Sequence, residues 1–228
     1  MWDKLKRFWQ APFLNKLYGL GTFYCRLKAV VFYRFVFKEF GKGSYIRSPL
    51  LILNPAFVSI GERVAIREGV RLEVVVDSHH RKPELLVGNG SSFEQNVHVV
   101  CHSRVRIGEN VAIAANCCIV DVTHPYENVH DNVPIVARIR DDDSFVEIGD
   151  FTLIGFGTVI LPNVRIGKRV VIGSNSVVSR DIPDYSIAAG SPARVIKRYD
   201  AATGGWVRVQ NASENVLSGV TGSARRQG

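Results

Sequence analysis

The sequence predicts a mainly β fold wound as a solenoid of short strands, and two observations carry that reading. From Ile148 to Val178 every sixth residue is aliphatic (Ile148, Ile154, Ile160, Ile166, Ile172, Val178), and four of these six are followed at once by glycine (Gly149, Gly155, Gly167, Gly173). A helix repeats near 3.6 residues and a plain strand near 2, so neither makes this pattern. A β-solenoid does: each short flat strand sends one aliphatic side chain inward and the chain then turns a corner. The second observation is bulk: at 46% hydrophobic residues in 228, the chain can fill a long packed core and carry appendages.

The elements follow in order. Residues 2–9 and 14–40 read as helical, with Leu27, Val31 and Phe35 four apart on one side, and Gly41-Lys42-Gly43 closes that region. The first unit is thus a basic, aromatic helical segment over 1–45. The coil is expected over 46–180, beginning near Ile46, with an early beat at Ile60, Ile66 and Leu72. The polar stretch from Asp77 to Pro83 interrupts it as a loop. The beat resumes at Val87, Phe93 and Val99, then shifts by two residues to Ile107, Ile113 and Ile119, which requires an irregular corner between them. The largest interruption is the loop over 124–145, with Pro125, Pro134 and the acidic run Asp141-Asp142-Asp143; loops set on such coils often form binding surfaces. Residues 181–199 leave the beat and read as a cap over a coil end whose strand edges would otherwise be open. Residues 200–228, rich in Gly, Ser, Ala and Asn, read as a flexible tail.

Charge is concentrated at the N-terminus. Residues 1–47 hold ten Lys/Arg against Asp3 and Glu39, which accounts for the whole net charge of +8, and 13 of the 22 aromatic residues. Two readings stay open for this segment: helices that cap or pack on the coil, or peripheral contact with an anionic membrane surface as well. A transmembrane helix is not expected, because the uncharged run Ala29–Tyr33 stops at Arg34, far short of about 20 apolar residues. The segment also lacks the long apolar stretch and cleavage site of a signal peptide. No recognition motif supports nucleic acid, and a basic patch alone is weak evidence for it. Cys25, Cys101, Cys117 and Cys118 show no Cys-x-x-Cys spacing and read as reduced thiols of a cytoplasmic protein.

Three motifs point to a family: Ile154-Gly155-Phe156-Gly157-Thr158-Val159-Ile160-Leu161-Pro162, Val171-Ile172-Gly173-Ser174-Asn175-Ser176-Val177-Val178 and Ala188-Ala189-Gly190-Ser191-Pro192-Ala193-Arg194-Val195-Ile196. Together with Thr123-His124-Pro125 they resemble the hexapeptide-repeat acyltransferases, in the branch of maltose and galactoside O-acetyltransferases and their polysaccharide-modifying relatives. The resemblance spans residues 86–198, more weakly 46–85. It implies a left-handed parallel β-helix, a homotrimer, and acetyl-CoA lying along the groove between two neighbouring rods with the acceptor at the same interface.

Acetyl transfer from a thioester to a hydroxyl needs a base for the hydroxyl proton and a donor for the charge that develops on the thioester oxygen. Histidine suits the first task because a free imidazole titrates near 6.5. All six histidines fall between His79 and His130, and His124 stands where a coil strand opens into the long loop, the context in which family members place their catalytic base. Asn96 is the second catalytic candidate, since an amide can donate to an oxyanion and accept from a sugar hydroxyl; the alternative is an asparagine stacked at a coil corner. Asp121 and Glu127 are candidates to orient His124 or line the acceptor site, and a backbone carbonyl could orient the ring equally well. Cys101 and His102 stand where sugar acetyltransferases often carry acidic acceptor-binding residues. That departure argues against simple maltose or galactoside acceptors, and His102 is a candidate for the pocket lining. On the CoA side, Gly155, Gly157 and Ser174 are small enough for close approach, although corners want small residues anyway, and Arg180, Arg194 and Lys197 could meet phosphates.

The expected function is O-acetylation, by direct attack, of a sugar hydroxyl on a surface-polysaccharide or lipopolysaccharide precursor, lipid-linked at the inner face of the cytoplasmic membrane. The alternative is N-acetylation of a nucleotide-linked amino sugar. A zinc site of the carbonic-anhydrase type is not expected, because the ligand positions counted from Ile107-Gly108-Glu109-Asn110 hold Ala115 and Val120; no metal is expected. A non-catalytic solenoid remains a further reading. There is no P-loop and no Gly-x-Gly-x-x-Gly opening a helix, so kinase and dehydrogenase readings have no foothold.

Overall fold

A computed structural model describes residues 10, 12–76, 82–139 and 143–209. The expected helix over 2–9, the core of the polar loop (77–81), Asp141, Asp142 and the tail from residue 210 lie outside the described residues.

The six-residue beat becomes a parallel β-helix of six rungs and three faces. One rung, for example, runs Glu84–Val87, Ser92–Phe93, His98–Cys101, and the next runs Arg104–Ile107, Ala112–Ile113, Cys118–Val120. Equivalent inward residues stack directly: Val87, Ile107, Ile148 and Ile166 on the first face, and Phe93, Ile113, Ile154 and Ile172 on the second. On the third face Val99, Ile119, Ile160 and Val178 do the same. Each of these is at most 3% exposed, and burying each such side chain is worth about 1.5–3 kcal/mol. The rung spacing also explains the glycine that follows an inward residue. A Cβ added to Gly88 would lie 2.5 Å from the backbone carbon of Gly108 in the next rung.

Every departure from the beat falls on one edge of the rod, between the third face and the first. The interruptions are Asn54–Phe57, residues 75–83, His102–Ser103 and the long loop after Val120, whereas the other two edges keep strict spacing through all six rungs. The two-residue slip between Val99 and Ile107 is therefore the widened corner at His102 and Ser103. Strands cannot stay paired across an insertion, so extra residues are expelled where the chain already turns.

The coil starts earlier than the aliphatic beat suggests. Glu39–Phe40 pairs in parallel with Ser59–Ile60 and opens the first rung. Phe40 occupies an inward slot six residues before Ile46 and is followed by Gly41, but the helical spacing that precedes it draws residues 37–40 into the helix reading. At the other end, Ser186–Gly190 extends the second sheet and folds back on Ala193–Asp200 through a turn with a cis Ser191–Pro192 peptide. Gly205–Arg208 adds a third antiparallel strand, with Trp206 edge-on to Tyr199 at 5.8 Å. The part of the expected tail from 200 to 208 is thus ordered strand and turn.

The N-terminal helix, α1, runs as an α-helix over Phe13–Lys28, a π turn over Ala29–Tyr33 and a last α turn over Arg34–Val36. It ends four residues short of the expected 40, because Phe37 is already extended. Ala29, Tyr33 and Phe37 are buried, and Tyr33, Phe37 and Phe40 form an aromatic cluster with ring centroids 5.1–5.5 Å apart. Arg47 of the coil donates to Thr22 Oγ1 at 2.9 Å and stacks over the Tyr18 ring at 4.1 Å. Among the described residues no helix is long and apolar enough to cross a membrane.

Candidate active site

The insertions on one edge place His124 beside the long loop. The third-face strand Cys118–Val120 ends, the chain leaves the coil, and His124 stands exposed four residues on. Its Nδ1 lies 2.9 Å from the backbone carbonyl oxygen of Arg138. A carbonyl can only accept, so Nδ1 carries a proton, and in the neutral ring the lone pair is on Nε2. That is the tautomer a general base requires.

The carbonyl that fixes His124 is itself fixed. The Arg138 guanidinium, its side chain 13% exposed, donates through Nε to the Val133 carbonyl (2.7 Å), through Nη1 to that of Asn128 (3.0 Å) and through Nη2 to that of Asp131 (2.7 Å). It also pairs with the Asp131 carboxylate at 3.3 Å. One residue thus ties three points of an exposed loop together and hands its own carbonyl to the imidazole. The expected catalytic base is oriented by a backbone carbonyl, one of the alternatives the sequence left open.

Asp121 does different work. It is fully buried, and its carboxylate accepts from the backbone N–H groups of His102 (2.6 Å), Ser103 (2.9 Å) and Arg104 (2.6 Å). It caps the widened corner from inside, which removes it from the residues that touch an acceptor. Burial pushes its carboxyl above the usual range, against three N–H donors that favour the ionised form. Burial, with Asp121 adding to it, likewise pushes the Cys101 thiol far up, so Cys101 stays protonated and unreactive. Asp121→Ala would strand three buried donors and is expected to cost about 3 kcal/mol at neutral pH. Urea melts check this, and a loss under about 1 kcal/mol would mean the corner holds itself. The sign of the pH effect follows from the raised folded value. The folded chain binds this proton more tightly than the unfolded chain, so the group's contribution to stability falls as pH rises from the ordinary carboxylate value through the raised one.

The same corner walls a cavity of about 520 Å³ on the insertion edge, lined by Lys38, Ala56, Phe57, Lys82, Glu84 and Arg104 among others. His102 is buried at the corner, its N–H on Asp121. Glu127 is exposed in the loop, with its carboxylate accepting from the Tyr126 N–H at 2.9 Å. Asn96 lies elsewhere, at the corner between the second and third faces. Its backbone is left-handed (φ +57°), and its amide donates to Asn116 Oδ1 at 3.2 Å, one rung on. Its Oδ1 fills the space over Gly69, where an added Cβ would come within 2.1 Å. This is the stacked-corner arrangement. It sits at the opposite end of the third face from His124, so one rod does not bring the two together.

Comparison with known proteins bears on what this arrangement serves. The family described as "Bacterial transferase hexapeptide (six repeats)" matches residues 145–180. Over 198 residues the chain is 29% identical to a putative lipopolysaccharide biosynthesis O-acetyl transferase, WbbJ, of Escherichia coli (strain K12), covering 85% of this chain and 96% of that one. The chain carries the bacterial transferase hexapeptide repeat. It is also 32% identical over 147 residues to the galactoside O-acetyltransferase of Escherichia coli (strain K12), covering 64% of this chain and 66% of that one. Its fold, a left-handed parallel β-helix, is shared with AntD, an N-acyltransferase from Bacillus cereus (TM-score 0.60, 18% identity, 86% of this chain and 95% of that chain).

Within this hexapeptide-repeat protein, the small residues expected on the CoA side are set by the coil itself. A Cβ on Gly155 would lie 2.6 Å from the Ser174 nitrogen, and Gly157 has φ +67° with its open side 2.5 Å from Asn175 Oδ1. Ser174 is exposed at the corner above them, and Arg180 is exposed just past the last rung. Arg194 and Lys197 lie on the cap strand Ala193–Asp200. Arg138 is the residue that sequence reasoning missed; nothing in the sequence sets it apart from Arg140, the other arginine between Pro134 and the acidic run.

Proposed function

We propose that this protein transfers an acetyl group from acetyl-CoA to a sugar hydroxyl of a surface-polysaccharide or lipopolysaccharide precursor. The observation that supports this best is the His124 ring, with Nδ1 tied to the Arg138 carbonyl and Nε2 free on the edge where the insertions gather. In the proposed step Nε2 takes the acceptor hydroxyl proton while that oxygen bonds to the thioester carbonyl carbon. The resulting oxyanion collapses, the carbon–sulfur bond breaks, and the imidazolium returns the proton to the departing thiolate. Holding donor and acceptor together supplies much of the rate.

The full site is proposed to form between protomers of a homotrimer, with CoA in the groove between two rods and Arg180, Arg194 and Lys197 toward its phosphates. The acceptor is proposed to approach the insertion edge, where Lys38, Lys82 and Arg104 would suit a phosphate-bearing carrier. The names of the relatives, a lipopolysaccharide O-acetyl transferase and a galactoside O-acetyltransferase, fit hydroxyl acceptors. The working location is the inner face of the cytoplasmic membrane.

The test is release of free thiol from acetyl-CoA in the presence of hydroxyl acceptors or nucleotide-linked amino sugars. Acceptor-dependent release with hydroxyl sugars is expected. Release with amines alone would replace O- by N-acetylation, and no release with any acceptor would overturn the enzyme reading.

A further inference from the structure

We infer that the outer face of α1, together with the cleft beside it, is a binding surface for anionic phospholipid. The helix is amphipathic in the inverse sense. Its contact side to the coil is made by Thr22, Ala29 and Tyr33, whereas Leu17, Leu20, Tyr24, Leu27, Val31 and Phe35 follow one another in steps of three and four and point away from the protein. These six are 49–77% exposed. An apolar helical stripe ordinarily faces the core, and a contiguous exposed one marks an interaction site.

A second, independent feature lies alongside. Arg26, Val30 and Arg34, spaced by four, form the neighbouring row of α1 and wall a cleft of about 610 Å³ whose other side is the turn Gly41–Ser44 with Lys42. Arg26 sits over the Tyr45 ring, 5.5 Å from its centroid, and none of Arg26, Arg34 and Lys42 is ion-paired among the described residues. No Asp or Glu occurs between Lys4 and Lys38, and the nearest acid in sequence is Glu39.

A row of apolar side chains next to a row of unneutralised cations matches one ligand geometry: acyl chains under phosphate headgroups. The stripe would enter the headgroup–acyl boundary, and the guanidinium forks would meet phosphate oxygens. A second copy bound through the same face is the poorer occupant. Packing this face on itself would bring the cation rows of two protomers together with no acid on α1 to offset them. The proposal gives a surface to the membrane placement stated above and does not depend on the chemistry at His124.

The experiment is co-sedimentation of the full chain with vesicles of phosphatidylglycerol and phosphatidylcholine, or of phosphatidylcholine alone. Binding is expected to the anionic vesicles, to fall with added salt, and to be at least tenfold weaker to the neutral ones. Leu27→Gln/Val31→Gln/Phe35→Gln and, separately, Arg26→Glu/Arg34→Glu should each weaken it at least tenfold. Neither should change the oligomer size in sedimentation or acetyl transfer to a soluble acceptor. Unchanged vesicle binding in both variants overturns the proposal. So does a smaller oligomer from the apolar variant, which would make the face a seam between copies, or full competition by soluble inorganic phosphate, which would make the cleft a free-anion site. Loss of vesicle binding with acetyl transfer intact separates this surface from the catalytic reading.

Discussion

His124→Ala is expected to lower the kcat for acetyl transfer by about 10²–10⁴, the range a positioned general base contributes. His124→Asn sharpens the test. An asparagine amide can still donate to the Arg138 carbonyl, so the loop keeps its anchor, yet it has no basic lone pair for a hydroxyl proton. If proton abstraction is the role, both variants fall together. If His124 only anchors the loop, the asparagine variant recovers most of the activity. The KM for acetyl-CoA should change little in either, since the proposed CoA groove lies along the coil. The coil melt should also hold, because His124 is exposed and outside the core. The measurement is thiol release with a saturating hydroxyl acceptor; retention of more than a tenth of the wild-type rate by the alanine variant would end the base assignment.

Arg138→Met should be the next most damaging change outside the reacting groups, lowering kcat by about 10–100-fold with KM nearly unmoved. The substitution removes three guanidinium–carbonyl bonds and the Asp131 pair. Hydrogen bonds to charged groups are each worth about 1.5–3 kcal/mol, less the solvent exposure of this loop. What is lost is the fixed position of the Arg138 carbonyl, and with it the tautomer of His124. A nitrogen-resolved NMR spectrum should show the His124 proton on Nδ1 in the native chain and divided between the two ring nitrogens in the variant. Arg138→Lys should restore little, because a point charge on a flexible stem cannot span three carbonyls as a planar fork does. A native rate in Arg138→Met, with the tautomer already mixed, would show that orientation of the ring does not limit turnover.

Much of the fold was legible because a period is local. Ile148 to Val178 states the rung spacing without any partner, and the register of each rung on the next follows once every inward residue is apolar. The misreadings have equally local causes. Phe40 was drawn into the helical reading of 14–40 although Gly41 follows it as in other rungs, and a composition rich in small residues concealed the strand Gly205–Arg208. The candidate site was legible only in part. His124 could be named from its strand–His–Pro setting, but Asp121, three residues earlier, looks the same on paper as a partner for the ring. Its fate depends on a corner made 17 to 19 residues upstream, at His102–Arg104.

What the chain alone determined, then, is the coil, most of its inward residues, the concentration of positive charge up to and including Arg47, and the histidine at the mouth of the loop. All are properties of neighbours in sequence. The tertiary structure decided the rest: that every insertion shares one edge, that Asp121 is spent on backbone N–H groups, that Arg138 holds the ring, and that α1 turns its apolar stripe outward. Each of these depends on which residues become neighbours when a rung closes on the one before it. That distance is fixed by the length of the insertions between rungs, and no spacing within a single strand or helix encodes it.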